Sequence, residues 1–194
     1  SMLMVERDAA GLEFSQGDRR LGLNGTGSCS LYFDQCRVPT SNLLGEEGTG
    51  AALLGKVVTD LALVGMAAVA VGIAGAVLDA AISHVRQRTI AGVAIGTHQA
   101  VRHTLAQMSA DLAAARALLR EASESGEGIA AMQAKLFATD TAVRVASAGL
   151  ELHGGHGYSR ELPVERMLRD AHGLRLHFMT PQLLRDGIAR QLLG

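Results

Sequence analysis

The stretch Leu150–Glu151–Leu152–His153–Gly154–Gly155–His156–Gly157–Tyr158, continued by Ser159–Arg160–Glu161–Leu162–Pro163–Val164–Glu165–Arg166–Met167–Leu168–Arg169–Asp170, decides how this chain folds. It closes a long apolar run with two adjacent glycines. Two residues without Cβ atoms let something flat or phosphorylated press against bare backbone. Pro163 then opens a short helix, where its missing N–H is one that a first turn leaves unpaired anyway.

Upstream of this stretch the apolar residues recur at helical spacing. One helix is predicted near Thr49 to Arg88, a second from about Thr97 to Ser123 and a third from about Ile129 to His153. Ser125–Gly126–Glu127–Gly128 is a compact connection between the last two. The second helix places Val101, Leu105, Met108, Leu112, Ala115 and Leu119 on one face. The third carries Ala131, Lys135, Leu136, Thr139, Val143, Ala146 and Leu150, a stripe interrupted by polar residues. Downstream, the Pro163 helix reaches about His172, and Thr180–Pro181 caps a last one through Leu193. The expectation is a mainly α chain, three long helices and a terminal one forming an antiparallel four-helix bundle.

Residues 3 to 40 read instead as strands. Leu3–Met4–Val5–Glu6 alternates weakly, Ser15 to Asp18 is a turn, Gly22 to Gly27 a glycine-rich loop, and Ser30 to Asp34 a short β run. This portion is too short to close a barrel or sandwich, so it is a partial β segment, and residues 49–194 form the helical domain.

Composition narrows the function classes. With 194 residues, 48% hydrophobic and 19% charged, the chain can bury a core without staples. A net charge of −1 without a basic run argues against nucleic acid. Cys29 and Cys36 suggest neither a disulfide framework nor a zinc knuckle. No leader is visible, and a reduced, cytoplasmic protein is expected. Leu61 to Leu78 contains only Leu, Ala, Val, Gly, Met and Ile, enough to span a membrane. Small residues dominate it, no aromatic belt flanks it, and Asp60 and Asp79 bracket it, so a central helix buried on all sides is expected instead of a membrane span.

The order of motifs resembles the acyl-CoA dehydrogenases. Leu31 to Pro39 and Asn42 to Gly48 are similar to the family's link from its middle β-domain into the C-terminal bundle. Gly72 to Asp79, Arg88, His98–Gln99, Gly154–Gly155, Pro163–Val164–Glu165–Arg166, Arg169–Asp170 and Thr180 with Gln182 then follow collinearly. The resemblance implies that residues 1–48 are the second half of the middle β-domain with its linker, and that the chain corresponds to the C-terminal part of such a protein, as a fragment or one part of a split protein. It also implies α,β-dehydrogenation of an acyl-CoA thioester, a carboxylate taking the α-proton while FAD receives a hydride. FAD would lie across two subunits of a homo- or hetero-oligomer, a dimer of dimers, with electron-transferring flavoprotein as acceptor.

Residue by residue, Arg88 matches the arginine that pairs with the FAD phosphates, and Gln99 a polar position nearby. Gly154 and Gly155 match the backbone that the neighbouring subunit's cofactor approaches, and Thr180 and Gln182 match positions at the last helix's start. Arg88, Gly154–Gly155 and Thr180 also have plain structural roles, the first two as helix C-termini and Thr180 as an N-cap. Asp60 matches an acidic position associated with the CoA chain.

Two departures stand out. The family's usual base position is Phe178, flanked by His177 and Met179; the minority position on the first long helix is Ala62, with Leu63 where an arginine usually adjoins. Neither holds a carboxylate. The flavin-contacting glutamine is Glu151, and a phenylalanine position is Ala91. Three readings stay open: an enzyme with an unconventional base, a catalytically silent subunit completing an FAD site, and a non-enzymatic helical scaffold. The His153–His156 pair, lacking a third ligand, implies no metal.

Overall fold

A computed structural model describes residues 1–194. The strands are β1 (Met2–Leu3), β2 (Leu12–Phe14), β3 (Leu31–Phe33), β4 (Leu43–Leu44), β5 (Thr89–Ile90) and β6 (Val93–Ala94). The helices are α1 (Gly50–Val57), α2 (Leu63–Gln87), α3 (Gln99–Ser125), α4 (Gly128–His153), α5 (Val164–Leu176) and α6 (Pro181–Leu193). The chain is mainly α, as the apolar spacing predicts.

Helix α4 is the hub, packing against α2, α3, α5 and α6. Its interface with α2 is built from small residues: Ala67, Ala70, Ala74, Val77 and Ala81 face Ala134, Ala138, Ala142, Val145 and Ala146, all buried. Such side chains let two helix backbones approach closely. A Cβ added at Gly149 would lie 2.2 Å from Val77 Cγ1, so the crossing leaves no room even for a methyl group there. Met108, Leu112 and Ala115 of α3 close the same core, the centre of the stripe expected for that helix.

Three local expectations are corrected. The first long helix is interrupted: Val58–Ala62 forms a π-helical turn between α1 and α2, with the Leu63 N–H reaching back five residues to the Val58 carbonyl. That long helix is also not buried on all sides. Only 39% of its most apolar window is covered, and Leu61 (71% exposed), Ala68, Val69 (45%), Gly72 and Ala76 form an open strip. By length and composition Gly50–Gln87 could cross a membrane; within the fold its other face is the centre of the bundle. Finally, Ser15 to Asp18 is no turn. The β2–β3 pairing continues irregularly through Ser15 N–H to the Ser30 carbonyl (3.0 Å) and Asp18 N–H to the Ser28 carbonyl (2.8 Å).

The first 48 residues form two small antiparallel pairs, β1 with β4 and β2 with β3. They dock on the bundle through α5. The Asp170 carboxylate accepts from the Leu23 N–H at 2.6 Å, and Arg169 Nη1 donates to the Leu21 carbonyl at 2.5 Å. A Cβ on Gly22 would meet the Arg169 backbone at 2.6 Å, so only glycine permits this contact. The β5–β6 hairpin was not foreseen. It turns on Ala91 (φ 52°) and Gly92 (φ 79°), the two consecutive positive-φ positions that a tight two-residue hairpin needs.

Candidate functional site

The candidate residues fall into two groups separated along α4. The first lies where the C-termini of α2 and α4 meet. Arg88 follows the last turn of α2, and the hairpin returns so that the Ile95 N–H bonds the Arg88 carbonyl at 2.9 Å. Gln99 begins α3 four residues later. Glu151 and Gly154–Gly155 end α4. His84, one turn before Arg88, stacks on His153 with ring centroids 4.4 Å apart, and His153 Nδ1–H donates to the Gly149 carbonyl at 2.7 Å.

This end of the bundle is cationic and open. Arg88 is exposed and belongs to none of the chain's five ion pairs. Burial, followed by the charges of His153, Arg88 and His156, lowers the His84 pKa below 6.5. Although His84 joins His153 and His156, no group of three potential ligands is arranged to hold a metal.

The glycines divide by cause. Gly157 is demanded by packing, because its Cβ would sit 2.6 Å from the Leu150 carbonyl oxygen. Gly154 is demanded by conformation, with φ 61° and ψ −146° at the end of α4. Gly155 has neither cause: its φ is unexceptional and a Cβ would meet nothing within 4 Å. The chain's own packing gives no reason for a bare backbone at Gly155.

The second group lies at the other end of α4. Buried Leu63 packs with Ala131, Met132 and Leu184, and Met179 packs against the same cluster. The π-helical turn that carries Asp60 and Ala62 therefore adjoins the turn that carries Phe178. Asp60 is exposed and accepts from Thr59 Oγ1 at 3.1 Å. Phe178 is 59% exposed with φ 59°. Thr180 caps α6, its Oγ1 accepting from the Leu183 N–H at 3.4 Å, and Gln182 stands exposed in the first turn. A cavity of about 630 Å³ lies alongside, between Arg20–Leu23, α5 and the start of α6. It touches His177, Pro181 and Gln182 but not Phe178. Eighteen residues of α4, roughly 27 Å of helix, separate Lys135 beneath this group from His153 in the first.

Sequence reading missed two contributors. Lys135 appeared only as a polar break in a stripe, yet it is wholly buried and donates to the carbonyls of Arg175 and Met179. Its lone charge among alanines was the available signal. Arg169 and Asp170 were matched as a motif without a task; they bolt the N-terminal segment to the bundle. Glu165 holds Arg169 in a two-pronged pair at 2.7 and 3.0 Å, and that hydrogen-bonded guanidinium keeps the Glu165 carboxyl below its usual range.

The result is a helical bundle with one open cationic end and a cavity beside the start of its last helix. Residues 59–193 match the family described as "Acyl-CoA dehydrogenase, C-terminal domain". An acyl-CoA dehydrogenase of Bacillus subtilis (strain 168) is 36% identical across 100% of this chain and 52% of its own length. The structure of butyryl-CoA dehydrogenase from Megasphaera elsdenii superposes with a TM-score of 0.94 at 31% identity, covering 99% of this chain and 51% of that one. A structure described as an electron transferring flavoprotein of Acidaminococcus fermentans gives 0.95 at 33% identity, covering 98% of this chain and 51% of that one. The chain belongs to the acyl-CoA dehydrogenase family of oxidoreductases. It spans about half the length of the curated relatives it matches.

Proposed function

We propose that this chain forms part of an FAD-dependent acyl-CoA dehydrogenase assembly in which each cofactor site draws on two copies of the bundle, or on this bundle and a homologous one. The bare backbone at Gly155, beside an unpaired Arg88, carries the reading. Arg88 supplies a permanent charge with a forked donor set suited to a diphosphate. Gly155 offers backbone without Cβ obstruction, while the Gly154 N–H is already bonded to the Glu151 carbonyl; Glu151 lies in the same last turn of α4 and Gln99 opens α3. Thr180 and Gln182 belong to the group at the opposite end of α4, which favours their meeting a different cofactor molecule from the one at Arg88. The open apolar strip on α2 is the further surface that an oligomer would cover.

FAD, when bound, would accept a hydride from the acyl chain. The acyl thioester is assigned to the surface where the π-helical turn adjoins the Phe178 turn, with Asp60 toward the CoA arm. Neither Phe178 nor Ala62 can hold a proton there. A missing base costs on the order of 10²- to 10⁴-fold in rate. This favours a subunit that completes a cofactor site while its own acyl site is silent, in a cytoplasmic assembly passing electrons to an electron-transferring flavoprotein.

Flavin content and bleaching test the reading. The protein should purify with FAD absorbance, and Arg88→Gln should weaken FAD binding at least ten-fold. Acyl-CoAs should bleach the flavin negligibly until Phe178→Glu restores a carboxylate. A colourless preparation that ignores added FAD would leave the scaffold reading instead.

A further inference from the structure

Lys135 lies on α4 among Ala131, Ala134 and Ala138, wholly buried. An ammonium stripped of its hydration there must find acceptors within the protein. Its Nζ donates to the Arg175 carbonyl at 3.2 Å and also to the Met179 carbonyl. The first acceptor belongs to the last turn of α5, whose carbonyls have no partners within the helix. The second immediately precedes Thr180, the N-cap of α6.

Between these two anchors the backbone makes an unusual turn. The Met179 N–H closes back on the His177 carbonyl at 2.8 Å, forming a three-residue loop centred on Phe178 at φ 59°. An aromatic residue at positive φ is an outlier, and a three-residue turn with such a centre is rare and strained. It persists only where its surroundings over-determine it. Here His177 Nδ1–H donates to the Gly173 carbonyl at 2.8 Å on one side, and Thr180 caps α6 on the other. Asp140, five residues beyond Lys135 on α4, pairs with Arg175 at 2.8 Å and reaches Arg185 of α6 at 3.7 Å. Three helices thus converge on one turn, and Lys135 is the single group bonded to backbone on both sides of residue 178.

We propose that Lys135 is a positioning residue: its ammonium grips the backbone on either side of Phe178 and thereby sets where the side chain at position 178 stands at the acyl-thioester site assigned above. The grip stands on hydrogen bonding alone; the acyl site rests on the functional reading above. The charged groups facing Lys135 are Asp140 from its own helix and Arg175 from α5, with His177 and Arg185 at the margin of the network. Burial lowers the Lys135 pKa to about 8, with Arg175 acting in the same direction and Asp140 opposing. Charge-assisted hydrogen bonds are roughly twice as strong as neutral ones, so the grip weakens as the ammonium discharges.

The chain contains no tryptophan, so Phe178→Trp places a single emitter at the tip of the turn. In that background, emission anisotropy should fall with a midpoint near pH 8. Lys135→Arg should keep it high across that range, and Lys135→Met should keep it low throughout. Amide exchange at Met179 and Thr180 should accelerate at least ten-fold in Lys135→Met, while the core amides of α2 stay protected. Unchanged exchange at the turn, or a profile flat from pH 6.5 to 10 with Lys135 in place, overturns the proposal. If Lys135→Met does not fold, Lys135→Gln, too short to span both carbonyls, takes its place in the exchange measurement. Octanoyl-CoA titration of the same variants separates the two layers. A loosened turn with altered affinity supports both; a loosened turn with unaltered affinity upholds the grip and moves the acyl site elsewhere.

Discussion

Position 178 joins an uncommon backbone turn to a side chain that cannot take a proton. The turn, its lysine anchor and the Thr180 cap are all in place; hydrocarbon occupies the site where the family resemblance implies a carboxylate. Phe178→Glu should therefore raise flavin bleaching by acyl-CoA on the order of 10²-fold or more, as read by stopped-flow absorbance. Two ionisable residues give further outcomes at this scale. Lys135 has a folded pKa near 8 against an unfolded 10.5, so between those values the unfolded chain binds more protons. Stability from this group is present above pH 10.5 and is lost as pH falls through 8, by up to about 3 kcal/mol. Urea denaturation at pH 8 and pH 10 should show the increase in the unsubstituted protein and not in Lys135→Met. For His84 the lowered pKa means that stability is lost as pH falls below 6.5 through the folded value. His84→Asn should flatten that acid limb in thermal melts.

At the level of elements, close approach of backbones replaces large apolar side chains. The α2–α4 crossing depends on Gly149 against Val77, and Gly149→Val should destabilise by about 1–3 kcal/mol or more, measured by urea denaturation, because the crowding falls on a branched side chain locked between two helices. The docking of the first 48 residues is a separate contact with different chemistry. Asp170→Ala would leave the part-buried Leu23 N–H without its acceptor, at a cost of about 1–3 kcal/mol. Limited proteolysis should then cut near residues 20–27 several-fold faster while the bundle resists. The π-helical turn belongs here too. Inserting one extra residue per turn re-aims Asp60 and Ala62 relative to α2, and such turns occur frequently at functional sites.

For the whole molecule, the two candidate groups at opposite ends of α4 and the bare strip on α2 carry the same implication. One copy presents two separate groups of candidate residues and an uncovered apolar helix face. Val69→Lys, which alters no buried residue, should shift sedimentation velocity toward smaller species and lower FAD content in parallel. A change in neither would dissociate the strip from assembly. The sequence made the bundle legible because apolar residues recur every three to four positions in α3 and α4, and hydrophobic period alone sets helix type and face. It made the family legible because the order of Arg88, Gly154, Gly155 and Thr180 along the chain is distinctive.

Other features depended on contacts between residues far apart in the chain. No local pattern tells that Lys135 reaches the carbonyls forty and forty-four positions away, or that Asp170 bonds Leu23. Nor does periodicity reveal which face of a uniformly apolar helix is covered, since every residue from Leu61 to Leu78 looks equally buriable. The amino-acid sequence by itself determined the type and apolar face of the helices and the Thr180 cap of the last one, because these follow from side-chain chemistry and local spacing. Only the tertiary structure decided the π-helical turn, the grip on residue 178 and the open strip of α2, because each arises where separate elements compete for the same backbone or the same surface.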